Sequence, residues 1–96
     1  MTTYRYAVSV MPKEGILDPQ GRAVEGSLPH LGVQTVHGVR VGRRIELAVD
    51  AADEPTARGS INRLAGELFA NPLIERWWVE PLREHAEQSL EEPVAG

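Results

Sequence analysis

Residues 4–26 read YRYAVSVMPKEGILDPQGRAVEG, and the change of rhythm inside this stretch decides the fold. From Tyr4 to Met11 the pattern alternates. Tyr4, Tyr6, Val8 and Val10 share one face, and Arg5, Ala7, Ser9 and Met11 the other, as in a strand with one buried side. Pro12 and Gly15 end it. At Asp18-Pro19 the period becomes that of a helix. The Asp18 carboxylate suits the N-cap, where it accepts from free N–H groups of the first turn. Pro19 suits the first helical position, whose N–H has no partner in any case. Val24, Leu28 and Leu31 then recur at i, i+4 and i+7 on one face, and Gly32 closes the element. Pro29 conflicts with this reading, because it removes the bond to the Glu25 carbonyl and should kink or end the helix early. Gly21 and Gly26 conflict too, since each weakens a helix by roughly 1 kcal/mol relative to alanine. Some neighbour must come close to them, either the sheet of the same chain or a partner chain. A phosphate at this helix N-terminus is a third reading, which the charge of Asp18 opposes.

Further along, residues 35–49 read as a hairpin. Val39, Val41, Ile45, Leu47 and Val49 fall on one face if Val41 opposes Ile45 across a Gly42-Arg43-Arg44 loop. A second helix is expected from about Pro55 to Ala70, with Ile61, Leu64, Ala65, Leu68 and Phe69 on its apolar face. Asn71-Pro72 ends it, Asn being suited to a left-handed cap. Ile74 to Glu80 reads as a last strand, in which Trp77 and Trp78 must point to opposite faces. One enters the core. The other is left outside, for a partner or for the C-terminal tail to cover. The expected fold is α+β, in the order βαββαβ, with two helices packed on one face of a mainly antiparallel sheet. Residues 1–80 form the domain. Residues 81–96 form an acidic tail in which Leu82, Ala86 and Leu90 give a short helix a narrow apolar edge.

Composition narrows the function. A chain of 96 residues has room for one thin core. Its net charge of −4 gives no reason to expect nucleic acid. The absence of cysteine removes disulfides, thiolate metal sites and cysteine nucleophiles. No secretory signal and no membrane span are visible, so a soluble cytoplasmic domain is expected. His30, His37 and His85 show no metal-ligand spacing, and neither a phosphate-binding loop nor a dinucleotide fingerprint occurs. Arg40, Arg43 and Arg44 cluster near the expected hairpin tip. They pair with nearby carboxylates or meet an acidic partner or phosphate. No catalytic, cofactor or metal site emerges. What the sequence offers are interface candidates: Asp18, Pro19, Gln20, Gly21, Gly26, Arg40, Gly42, Arg43, Asn71, Trp77 and Trp78.

Three stretches, GILDPQGRAVEGSLPHLG, VHGVRVGRRIEL and LFANPLIERWWVE, taken in order and spacing, resemble the PurS family, small subunits of phosphoribosylformylglycinamidine (FGAM) synthase. The resemblance covers about residues 4 to 80. Pro29 is atypical for the family, and the tail after Pro81 extends beyond its usual end. The resemblance implies a homodimer or pair of dimers formed by joining sheets, assembled with a PurL-like synthetase and a PurQ-like glutaminase. It implies a non-catalytic role: bridging the two and supporting ammonia transfer as formylglycinamide ribonucleotide, glutamine and ATP become FGAM, glutamate, ADP and phosphate. It also implies that ATP and magnesium belong to the partner synthetase and that this chain binds no cofactor. The absence of cysteine agrees, since a glutaminase of this type needs a thiolate nucleophile. Competing readings are an ACT-like small-molecule sensor, since βαββαβ units often bind ligands at dimer interfaces, and a free-standing small enzyme.

Overall fold

The alternating N-terminal stretch becomes the middle of the sheet. In the computed structural model, which describes residues 1–82, β1 (Thr2–Pro12) lies between β2 (Arg43–Ala51) and β3 (Glu75–Pro81), antiparallel to both. Val8 stands opposite Ile45 and Val79, and Tyr6 opposite Leu47. The even residues of β1 therefore share a face with the odd residues of its neighbours, and this face is the buried one. Helix α2 (Glu54–Leu64) covers it and contributes Ala57 and Ile61. Asp53 caps α2 by accepting from the Thr56 N–H at 2.9 Å, as its position before Glu54-Pro55 requires. Its last turn, Ala65–Phe69, is widened: the Ala70 N–H reaches the Ala65 carbonyl, five residues back, at 2.9 Å. Ile61 and Ala65 are fully buried and Phe69 packs at the margin, whereas Leu68 of the expected apolar face is exposed. Tyr6 is buried against α2, and its hydroxyl donates to Glu54 Oε2 at 2.9 Å.

The other face of the sheet carries no helix among the described residues. Across it run Arg44–Ser9–Trp78 and, beside them, Glu46–Ala7–Glu80. Arg44 lies 2.9 Å from Glu46 and 3.7 Å from Glu80. Ala7 is fully buried between them. Trp77 packs against the core, while Trp78 is 46% exposed on the open face, the division that strand alternation requires.

The α+β class and the antiparallel sheet agree with the sequence reading, but the element order is βαβαβ. The expected hairpin over residues 35–49 does not form. Arg43 and Arg44 are not a loop; they open β2, opposite Val10 and Ser9 of β1. Residues 33–42 form no strand, because their backbone donors are taken elsewhere. The Gly38 and Val39 N–H groups donate to the Glu25 carboxylate at 3.2 and 3.3 Å, and the Val41 N–H donates to Asp18 Oδ2 at 2.8 Å. Glu25 stands on α1 (Pro19–Ser27) and Asp18 is its N-cap. So α1 binds the extended loop instead of the sheet, and it supplies nothing to the core. The expectation of two helices on one sheet face holds for α2 only. Pro29 has the effect its chemistry demands. The α-helix stops at Ser27, a 3₁₀ turn spans Leu28–Leu31, and Gly32 closes it at φ 76°. The proposed apolar stripe of Val24, Leu28 and Leu31 buries little; Leu31 is 75% exposed.

Helix α2 ends on extended Ala70, and Asn71 organises the next turn one residue later. Its side chain accepts from the Leu73 N–H at 3.1 Å, and its carbonyl accepts from Ile74 and Glu75 at 3.0 and 2.7 Å. At the far end of β3 the Leu82 N–H donates to the Arg5 carbonyl at 2.8 Å. The short helix expected from Leu82, Ala86 and Leu90 falls, beyond Leu82, outside the described residues.

Candidate functional site

The three stretches that sequence reading singled out lie far apart along the chain, and folding brings them to one cleft. The start of α1 supplies Asp18, Pro19 and Gln20, the entry to β2 supplies Gly42 and Arg43, and the turn before β3 supplies Ile74 and Glu75. Pro12, Ile16, Leu17 and Val41 complete a cleft of about 510 Å³.

Asp18 holds two walls together. One carboxylate oxygen accepts from the Gly21 N–H at 3.0 Å, the N-cap bond, and the other from the Val41 N–H across the cleft. These two donors hold its carboxyl below the usual carboxylate range, the Val41 bond contributing most. Gly21 is the one buried residue of α1. A methyl group there would collide with the Val39 carbonyl and the Asp18 carboxylate. The close approach that Gly21 permits is therefore within the chain, to the loop and not to a partner. Gly26 is different, because among the described residues nothing lies within 4 Å of where its Cβ would stand. Gly42 lets the loop cross the end of β1, where a side chain would meet the Val10 carbonyl and the Met11 sulfur.

The opposite wall rests on Arg43. Its guanidinium grips both oxygens of Glu75 at 3.0 Å and also donates to the Phe69 carbonyl at the end of the widened turn. Glu75 in addition accepts from the Asn71 N–H at 2.8 Å. The Arg43 pairing, with the Asn71 bond second, holds the Glu75 carboxyl below its ordinary range, and the same pairing raises that of Arg43. The arginines do not form one basic tip. Arg43 pairs with Glu75, Arg44 with Glu46 and Glu80 on the open sheet face, and Arg40 donates to the Pro12 carbonyl and lies 3.7 Å from Glu14. This is the plain reading of the cluster, that of separate carboxylate pairs.

Of the sequence candidates, Asp18, Pro19, Gln20, Gly42 and Arg43 line the cleft; Gly21 backs it, and Asn71 shapes the turn that carries Ile74. Arg40 faces a shallower hollow on the other side of the Ile16–Leu17 ridge. Gly26, Trp77 and Trp78 lie elsewhere. Sequence reading passed over Glu25, Glu75 and the apolar rim of Ile16, Leu17 and Ile74. Glu25 had a usable signal: a carboxylate seven residues after Asp18, on the same helical face, with Gly21 between them. Glu75 had none, since its partner Arg43 is remote in sequence.

The charged groups of the cleft are thus engaged in holding its own walls. The rim shows apolar surface to solvent: Leu17 is 65% exposed and Ile74 40%. Such a site suits a docked protein segment more than reaction chemistry. Among the described residues no group of three or more His, Cys, Asp or Glu side chains is placed to hold a metal ion, and no helix is long and apolar enough to cross a membrane.

Comparison with known proteins agrees along most of the chain. The family model for PurS, described as phosphoribosylformylglycinamidine (FGAM) synthase, matches residues 5–83. A PurS subunit from Synechocystis sp. is 37% identical over 78 residues, covering 81% of this chain and 78% of that protein. One from Mycobacterium leprae is 39% identical over 75 residues, covering 78% and 91%. Among solved structures, a chain of PurLQS from Thermotoga maritima superposes with a TM-score of 0.77 at 28% identity, over 85% of this chain and all of that one. Thermus thermophilus PurS superposes at 0.70 with 36% identity, over 85% and 100%. The matched region spans all three walls of the cleft and most of both ladders of the sheet, and the chain belongs to the PurS family of FGAM synthase subunits.

Proposed function

We propose that this chain is the small, non-catalytic subunit of FGAM synthase in de novo purine biosynthesis, and that it bridges a PurL-like synthetase and a PurQ-like glutaminase. The observation that carries the reading is the cleft. It is built from all three signature stretches, its charged side chains are consumed in holding its own walls, and its rim presents apolar surface. The Thermotoga maritima relative, superposed over its full length, comes from a structure of PurLQS. In this reading ATP and magnesium are handled by the synthetase, the assembly works in the cytoplasm, and the subunit self-associates through its sheet. Close-packed joints between subunits would support ammonia transfer by keeping the nucleophile from protonation in bulk water.

The sensor reading draws on the size of the cleft, which falls within the range of small-molecule pockets. The engaged charges weaken it, because convergent free polar groups are what fix a small ligand. Reconstitution separates the two. PurL-like and PurQ-like subunits from the same source are assayed with glutamine and ATP, with and without this chain, and in parallel with ammonium replacing glutamine. Glutamine-dependent turnover that needs this chain, with partial bypass by ammonium, is the expected result. Equal glutamine-dependent turnover without the chain would refute the bridging role and favour the sensor.

A further inference from the structure

The open sheet face carries one feature that neither the core nor the cleft explains. Arg76 stacks on Trp78 with its guanidinium 5.0 Å from the ring centroid. Among the described residues it makes no ion pair, whereas its neighbour Arg44 is shared between Glu46 and Glu80. The patch is thus a cation and a half-exposed aromatic ring, with Met11 opposite Arg76 and Ser9 opposite Trp78. It asks for an occupant that is apolar and acidic at once.

The chain itself holds such a segment. Residues 83–96, REHAEQSLEEPVAG, contain Glu84, Glu87, Glu91 and Glu92 against the single Arg83, with Leu90 and Val94 as apolar side chains. The segment leaves from Leu82, which the Arg5 carbonyl holds at the end of β3. Trp78 lies on the same strand, roughly 13 Å back at the usual rise per residue. An extended chain of this length spans up to roughly 45 Å, ample to reverse and return. From Glu84 onward the segment also lies beyond the region that matches the family, which ends at residue 83.

We propose that the Arg76–Trp78 patch is the docking site of the acidic C-terminal segment, residues 83–96, of the same chain. Leu90 of the segment covers the Trp78 ring, and its glutamates supply a carboxylate partner to Arg76. The tether gives the segment a high effective concentration at the patch, so the contact competes with any second sheet or partner surface seeking the same face. The inference concerns this chain alone and stands independently of the bridging role.

The absence of native cysteine makes the test direct. The full-length chain carrying Ser89→Cys is labelled with bimane, whose emission tryptophan quenches on contact. The expected result is quenching that is independent of protein concentration, is lost with Trp78→Phe but kept with Trp77→Phe, and weakens with Arg76→Glu and with added salt. Emission unchanged by Trp78→Phe would overturn the proposal. Quenching that grows with protein concentration would overturn it as well, by assigning the patch to the segment of a second copy. Circular dichroism of each variant confirms that the comparison is between folded proteins.

Discussion

Two glycines on one short helix should respond to the same substitution with opposite signs. Gly21 and Gly26 both lie in α1, and alanine at an ordinary helical position stabilises by roughly 1 kcal/mol relative to glycine. At Gly26 none of the described residues occupies the space a methyl would fill. Gly26→Ala is therefore expected to gain about 0.5–1 kcal/mol, or roughly 4 °C in Tm for a domain of this size. At Gly21 the methyl meets the Val39 carbonyl and the Asp18 carboxylate. Both are held in place, the first by the bonds its loop makes to Glu25 and Asp18, the second by its own two donors. Overpacking against such fixed groups costs about 1–3 kcal/mol. With little room to relax, the upper part of that range applies, leaving a net loss of about 2 kcal/mol after the gain in propensity, or roughly 10 °C in Tm. Thermal unfolding of the two variants and the parent, followed by circular dichroism, decides the matter. If Gly21→Ala unfolds at or above the temperature of the parent, then α1 does not press on the loop and the account of the cleft fails.

Other expectations follow from the same contacts. Ile61→Ala removes a fully buried side chain and should cost about 2–4 kcal/mol in urea unfolding. Arg43→Lys gives up the two-pronged grip on Glu75 and should cost no more than about 1 kcal/mol, the guanidinium being half exposed and screened; its larger effect should be weaker partner binding, read by titration calorimetry. Asp18→Asn keeps one acceptor but cannot accept from both backbone donors. Because the folded state depresses the Asp18 pKa, the stability this carboxylate provides is complete above its ordinary value of 3.8 and is lost as pH falls through the lower folded value. The Tm difference between parent and Asp18→Asn should therefore be constant near neutrality and shrink on acidification below that point.

Much of the fold was legible because the signals were local. The alternation of Tyr6, Val8 and Val10, the Asp18-Pro19 start, the stop at Pro29 and the opposed faces of Trp77 and Trp78 all rest on periodicity or on single-residue stereochemistry. The hairpin failed for a tertiary reason. Val39 and Val41 have the pattern of a strand, but the Asp18 and Glu25 carboxylates offer their amides charge-assisted acceptors that a neighbouring strand would have to displace. The cleft was half legible. Its glycines and cap residues were marked by their cost, whereas the Arg43–Glu75 wall joins residues that no local pattern connects, and the apolar rim of Ile16, Leu17 and Ile74 belongs to no periodic run that would have marked it.

The central position of β1 bears on how the protein is made. This strand precedes both of its partners in the chain, yet Val8 pairs with Ile45 on one side and Val79 on the other. Helix α1 and its loop have their own carboxylate-to-amide contacts, all within residues 18–41. The sheet has no such early refuge. Until Val79 is synthesised, the apolar face of β1 has at most one of its neighbours, and a nascent strand in that state is open to wrong pairing. Loop closure over such distances is slow compared with local helix formation. Completion of the sheet, and with it of the Arg43–Glu75 wall, is thus tied to the last part of the domain to be translated.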